Sequence, residues 1–273
     1  MTSCVLLPLP EFVVLHIPHD SLEIPPLARA GLSISDSDLA LEISKLTDHE
    51  TARLFAQGVP SHQVVRAPVS RLVVDCERFV EDKHEPMVSK GMGAVYMRGF
   101  DGGVLRQSLT DSERQSLLDT WYWPHHDQLF STTQSVLDQY GHVLVVDAHS
   151  FSATRLPYEL TQEASRPDIC IGTDSFHTSK SMEDAFVKSF RDVGAFSVRV
   201  NEPFGGALVP LPFLGEDKKV SALMIEVNRS LYWDEVSGTV NASFEEVAFR
   251  IRNCLCAAIA LWETSKKTAH VAS

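Results

Sequence analysis

The sequence predicts an α/β protein, with one mixed, largely parallel sheet and helices on both of its faces. Short Val-rich apolar runs alternate with longer stretches of helical spacing, the order that winds a parallel sheet. The run at 143–146 is unbroken Val-Leu-Val-Val, as expected of a strand buried on both faces. The 273 residues are 44% hydrophobic and contain no linker-like segment, internal repeat or low-complexity stretch, so residues 1–273 read as a single domain.

A formal net charge of -12 argues against nucleic acid or an anionic membrane surface as the main partner. It leaves room for a small acidic substrate, because a local arginine cluster can override the global field. Five cysteines, Cys4, Cys76, Cys170, Cys254 and Cys256, form no CxxC pair, and several lie in apolar segments. Buried, reduced thiols and a cytoplasmic location are the expectation. Met1-Thr2-Ser3-Cys4-Val5 lacks the basic start of a signal peptide, and no apolar run approaches a membrane span.

The first strand is expected at Phe12 to Ile17, leading into Pro18-His19-Asp20-Ser21. Pro18 and Pro25 stop regular structure on either side, which leaves His19 on a rigid loop at a strand's carboxyl end. His16, inside the strand, reads as a core or supporting residue. Asp36 or Ser37 can cap a helix running to about Ala56, with Asp48-His49-Glu50 inside it; taken alone, those three read as a solvated helix face. Val64-Val65 is a short strand, and Leu72 to Asp75 a second, bracketed by Arg71 and Arg78. Glycines at 91, 93, 102 and 103 mark a tightly turning region.

Thr110 and Glu113 form a capping box for a helical region to about Tyr140, interrupted by Pro124 and carrying His125 and His126. After the central strand come a strand at Asp168 to Gly172, an amphipathic helix at Ser179 to Val193 and a strand at Phe196 to Asn201. The last strand, Ala222 to Val227, holds Glu226 in an apolar run, where an unpaired carboxylate is costly. A final helix is expected from about 243 to 264, opened by a Ser243/Glu246 capping box and followed by a frayed tail.

Chemistry in α/β sheets gathers outside the carboxyl ends of the strands. His19, His149 and Glu226 all stand there or next to it. Asp147 and His149, two apart on one strand, point the same way, so Asp147 can orient His149. Asp48 is the nearest acid to complete a set of two histidines and a carboxylate, the usual ligands of a hydrolytic zinc; Glu23 is the alternative. Glu226 is then left as general base, with His126 next in line. No HExxH motif is present, so such a site must be assembled from distant segments.

Six segments, in order over about residues 12–233, resemble the N-formylglutamate amidohydrolase family. They are His16-Ile17-Pro18-His19, Ser70-Arg71 through Asp75 and Arg78, Asp147-Ala148-His149-Ser150, Pro167 to Gly172, Asn201 to Gly206, and Ile225-Glu226-Val227-Asn228-Arg229 with Leu231-Tyr232. The resemblance implies the zinc carboxypeptidase type of fold, also described as phosphorylase/hydrolase-like. It implies one Zn2+ per chain on His19, Asp48 and His149, with Glu226 as the base. It also implies an N-acylated acidic amino acid as substrate, gripped by Arg71, Arg78 and Arg229 with Asn201 in support. Asp20-Ser21 stands where the family often has Ser-Gly, and Glu77-Arg78 where it often has Asn-Arg. A different N-acyl amino acid or peptide is the alternative substrate. A metal-free binding or regulatory protein is the alternative from another class. The sequence is silent on oligomeric state.

Overall fold

Six strands form one sheet in the order β2-β1-β3-β6-β4-β5 in the computed structural model, which describes residues 8–160 and 166–271. The strands are β1 (Val13–Ile17), β2 (Val64–Arg66), β3 (Val143–Phe151), β4 (Ile169–Thr173), β5 (Val198–Val200) and β6 (Val220–Asn228). β2, β1, β3 and β6 are parallel; β4 runs antiparallel to β6 and parallel to β5, so the sheet is mixed. The helices are α1 (Pro26–Ala30), α2 (Asp36–Leu46), α3 (Thr51–Phe55), α4 (Asp111–Leu117), α5 (Trp123–Tyr140), α6 (Lys180–Asp192) and α7 (Phe244–Val271). A small hairpin of β7 (Trp233–Asp234) and β8 (Thr239–Val240) follows β6.

Strand parity sorts the two faces. Val13, Leu15 and Ile17 of β1, Leu144 and Val146 of β3, and Leu223 and Ile225 of β6 pack with α3, α6 and α7, including Phe186, Phe190 and Trp262. The alternate residues Val14, Val143, Val145 and Ala222 pack with α5 through Leu129, Val136 and Leu137. Because successive side chains alternate, His16, Asp147, His149 and Glu226 belong to the α5 face. The lateral pairing brings them abreast: His16 stands opposite Asp147, and His149 opposite Glu226. Gly172 of β4 allows the 201–206 loop to close over this face, since a Cβ there would lie 2.2 Å from Gly206 O.

Four expectations need correction. The helix from residue 36 is capped by Ser35, whose side chain accepts from Asp38 N, and it stops at Leu46 instead of running to Ala56. Asp48 N donates to His19 O at 3.0 Å, and Arg229 donates to Thr47 O and Lys45 O, so the next turn's hydrogen bonds are taken from outside the helix. Leu72 to Asp75 is a turn and not a strand: the carbonyls of Leu72, Val73 and Tyr96 accept from the buried Arg106 guanidinium, which replaces a strand partner. Pro124 does not interrupt its helix. A π-helical segment, Leu118–Tyr122, runs directly from α4 into α5, and its wider turn accommodates Pro124, which has no N–H for the preceding turn. The last helix continues through Val271, past the expected end near Thr264.

Cys76, Cys170 and Cys254 are buried free thiols and Cys256 is half-buried; Cys4 lies outside the described residues. Among the described residues no helix is long and apolar enough to cross a membrane. Removing Arg106 tests the substitute partner at residues 72–73. An unsatisfied buried carbonyl costs about 1–3 kcal/mol, so Arg106→Met should lower the urea-unfolding midpoint by the equivalent of at least one such loss. An unchanged midpoint would mean that solvent reaches those carbonyls.

Candidate functional site

His19, Asp48 and His149 meet over the carboxyl ends of β1 and β3, at 3%, 5% and 3% exposure. β1 ends at Ile17, and Pro18 turns the chain so that His19 folds back over the strand ends. The 47–50 turn carries Asp48 in, held by Asp48 N on His19 O and by Ser150 N, which donates to Asp48 Oδ2 at 3.2 Å. Asp48 Oδ2 lies 3.0 Å from His149 Nδ1 and 3.6 Å from His19 Nδ1. Glu23, the alternative acid, is exposed and outside this group.

Each imidazole turns its other nitrogen to a second carboxylate. His19 Nε2 is 2.8 Å from Asp75 Oδ1, and His149 Nε2 is 3.0 Å from Asp147 Oδ1. A proton on His19 Nε2 satisfies Asp75, and His149 pairs through Nδ1 with Asp48 Oδ2. His149 Nε2 stands 3.0 Å from Asp147 Oδ1 without a hydrogen bond, and among the described residues His19 Nδ1 has no hydrogen-bond partner either. The His19 Nδ1 lone pair, 3.6 Å from the Asp48 carboxylate, is in a repulsive position unless a proton or a cation sits between them. The donor set therefore fits a metal ion, with His19, Asp48 and His149 able to hold it.

The charges agree with this. Burial alone would raise the carboxyl pKa of Asp48, but His149 and His19 bring it far below the usual range. Burial opposes the imidazolium of His149, yet Asp147, Glu77 and Asp48 outweigh it and raise its pKa. His19 is raised in the same way by Asp75 and Asp48, against burial and Arg71. Glu226 is the exception among the acids. Burial pushes it up to about 8, and its Oε2 has no hydrogen-bond partner in the protein. A buried carboxyl whose pKa lies near neutrality beside two histidines is suited to moving a proton.

These side chains open on a cavity of about 550 Å³, which Arg71, Arg78, Tyr158 and Glu226 also line. Arg71 is anchored: Nη2 donates to Asp75 Oδ2 at 2.8 Å and Nε to Tyr96 Oη at 3.0 Å, while Nη1 stands 4.0 Å from Asp48 Oδ1. Arg78 makes two long ion pairs, Nε at 3.5 Å to Asp75 Oδ2 and Nη1 at 3.8 Å to Glu85 Oε1, and among the described residues its buried Nε has no hydrogen-bond partner. Its donors are the more available of the two. Glu77 Oε2 lies 3.5 Å from His149 Nε2 in the same cavity. His126 lines it too, donating Nε2–H to Cys76 O at 2.9 Å, and burial lowers its pKa to about 4.

The other two expected substrate contacts differ in placement. Asn201 is exposed and outside the cavity lining; its Oδ1 accepts from Thr173 N at 2.8 Å and its Nδ2 donates to Thr173 Oγ1 at 2.8 Å, which ties the 201–206 loop to β4. Arg229 is 1% exposed yet lines the cavity; it donates to Thr47 O and Lys45 O, and its Nε stands 3.4 Å from Glu235 Oε1 without a hydrogen bond. Asp75 and Tyr96 were missed in the sequence as site residues. Asp75 carries a related signal to Glu226, an acid at the end of an apolar run where Glu226 lies inside one; Tyr96, whose hydroxyl donates to Asp75, carries none.

Histidines, carboxylates and arginines gathered over the strand ends of such a sheet mark an enzyme of the α/β class. The chain belongs to the N-formylglutamate amidohydrolase family, whose model matches residues 12–233. It is 26% identical over 236 residues to the N-formylglutamate deformylase of Pseudomonas putida, covering 82% of each chain. The crystal structure of N-formylglutamate amidohydrolase from Ralstonia eutropha JMP134 superposes with a TM-score of 0.76 at 18% identity, over 94% of this chain and 95% of that one. A gene product of Agrobacterium tumefaciens matches with a TM-score of 0.58 at 19% identity, over 96% and 92%. These last two establish likeness of fold.

Replacing Arg229 separates support from substrate contact. Hydrogen bonds from a charged group contribute about 1.5–3 kcal/mol each, so Arg229→Met should destabilise the ligand-free protein measurably by thermal unfolding. Unchanged stability together with a raised KM would return Arg229 to the substrate.

Proposed function

We propose that this protein hydrolyses the amide of an N-acylated acidic amino acid, most simply N-formyl-L-glutamate to formate and L-glutamate, using one zinc ion held by His19, Asp48 and His149. The observation that carries the reading is the placement of Arg71 and Arg78 in the same cavity as that cluster, in a chain of this family. A zinc ion there would polarise the amide carbonyl and make water more acidic.

The chain's own residues do the rest. Arg78, with Arg71 beside it, grips substrate carboxylate through a planar fork of N–H donors. Asp75 and Asp147 hold His19 and His149 in the orientation that presents Nδ1 to Asp48. Glu226 takes a proton from the attacking water as its oxygen bonds to the formyl carbon. Glu226 then returns that proton to the nitrogen as the C–N bond breaks, so that formate and the free amine leave. The closed, buried floor keeps bulk water from competing for the same proton.

Glu77 favours a second reading of the substrate. It puts a carboxylate on the cavity wall beside His149 and Arg78, which disfavours one arrangement of a dicarboxylic ligand and suits an N-acyl amino acid with a neutral or basic side chain. A panel of N-formyl and N-acetyl amino acids, assayed on zinc-loaded protein for released amine, decides between them. N-formyl-L-glutamate should give the highest kcat/KM; a neutral or basic analogue in that place would overturn the assignment.

Two variants test the roles. Arg78→Ala should raise KM for N-formyl-L-glutamate by about tenfold or more through loss of charge-assisted hydrogen bonds, with a much smaller effect on a neutral analogue. Equal effects would mean that Arg78 is structural. Glu226→Gln should cut kcat by about 10²–10⁴-fold while zinc content, measured in the same preparation, stays constant. Loss of zinc with activity would make Glu226 a ligand.

A further inference from the structure

We propose that His16, Cys76 and His125 form a second metal site, for a borderline or soft divalent ion such as zinc or cobalt, behind Asp147. Nothing about the first cluster is needed for it, and it stands whether or not that cluster holds zinc. The three side chains come from distant segments: β1, the turn after Asp75, and the first turn of α5. They are 0%, 4% and 3% exposed, and their ligand atoms all lie within 4.8 Å of one another.

The proton positions prepare the site. His16 Nδ1 lies 2.9 Å from Asp147 Oδ1 and 3.4 Å from Glu77 Oε1, which fixes the proton on Nδ1. Its Nε2 lone pair then points away from the carboxylates, toward His125 Nε2 at 2.8 Å. With no ion present, one proton on His125 satisfies that approach. That single contact does not account for the Cys76 thiol, whose sulfur lies within 4.8 Å of a ligand nitrogen of each ring. An ion uses all three groups: the His125 proton moves to Nδ1, the Cys76 thiol loses its proton, and two imidazoles with one thiolate make the donor set. Such donors select zinc and its transition-metal neighbours over magnesium or calcium.

The site also connects to the first cluster. Asp147 accepts from His16 on one side and faces His149 Nε2 at 3.0 Å on the other. An ion holding His16 therefore fixes the carboxylate that orients His149, the supporting role that outer carboxylates and histidines play around metals.

Cobalt titration of metal-free, full-length protein tests this. His19, Asp48 and His149 contain no sulfur, so a thiolate-to-cobalt charge-transfer band in the near ultraviolet reports the second site alone. The wild type should develop the band, with one equivalent bound at this site besides any at the first cluster. Cys76→Ser and His125→Ala should each bind one equivalent fewer than the wild type and lose the band, while His149→Ala keeps it. X-ray absorption on the wild-type cobalt form, which depends on no variant, should show a sulfur neighbour at about 2.3 Å. One equivalent without the band, or no sulfur neighbour, would overturn the proposal. So would a second equivalent that survives Cys76→Ser but is lost in Glu77→Gln, since that would place the ion on His16, Glu77 and Asp147.

Discussion

The structure around the strand ends depends on one constraint: the Asp48 carboxylate is buried between two imidazoles and must be both delivered and compensated there. Delivery shapes the backbone. α2 ends early so that Thr47 can turn inward, Arg229 closes that turn from the far end of β6, and His19 O and Ser150 N receive it. Tyr232 completes the brace by donating its hydroxyl to His49 O at 2.8 Å. Residues just beyond β6 thus hold a turn more than 180 positions earlier in the chain, and the last strand supplies Glu226 to the floor of the same site.

Compensation shapes the chemistry. Asp48, Asp75, Asp147, Glu77 and Glu226 converge on a small volume in which Arg71 and Arg78 are the permanently charged partners. Burying that many carboxylates demands further positive charge, and only histidines or a bound cation can supply it. Glu226 answers with a raised pKa, which a cation bound beside it would bring back down, and Asp75 by binding Arg71, Arg78 and His19 at once. The same shortage of cations makes the cavity attractive to a metal, while the free donors of Arg78 at its rim suit an anionic substrate group.

Much of this was legible in the sequence because strands announce themselves. Pro18 after β1, and the apolar runs of β3 and β6, located His19, His149 and Glu226 at strand ends, and the two-residue period put Asp147 with His149. The turn at Thr47 was not legible, since what ends α2 is a set of hydrogen bonds to His19 O and from Ser150 N and Arg229, all remote in sequence. Leu72 to Asp75 has a strand's composition, and only Arg106, more than 30 residues on, makes it a turn. Asn201 looks like a substrate contact by residue type, but Thr173 occupies its amide outside the cavity, and Arg229 has a second task in bracing the Thr47 turn. His16, Cys76 and His125 gave no signal individually; their closeness exists only in three dimensions.

The most direct test of the account is anomalous diffraction from crystals equilibrated with zinc. It predicts a zinc peak bounded by His19 Nδ1, Asp48 Oδ2 and His149 Nδ1 at about 2.0–2.2 Å from each, with Glu226 facing the ion but not bonded to it. An empty cluster at saturating zinc, or an ion there coordinated by Glu226 with Asp48 left free, would contradict it.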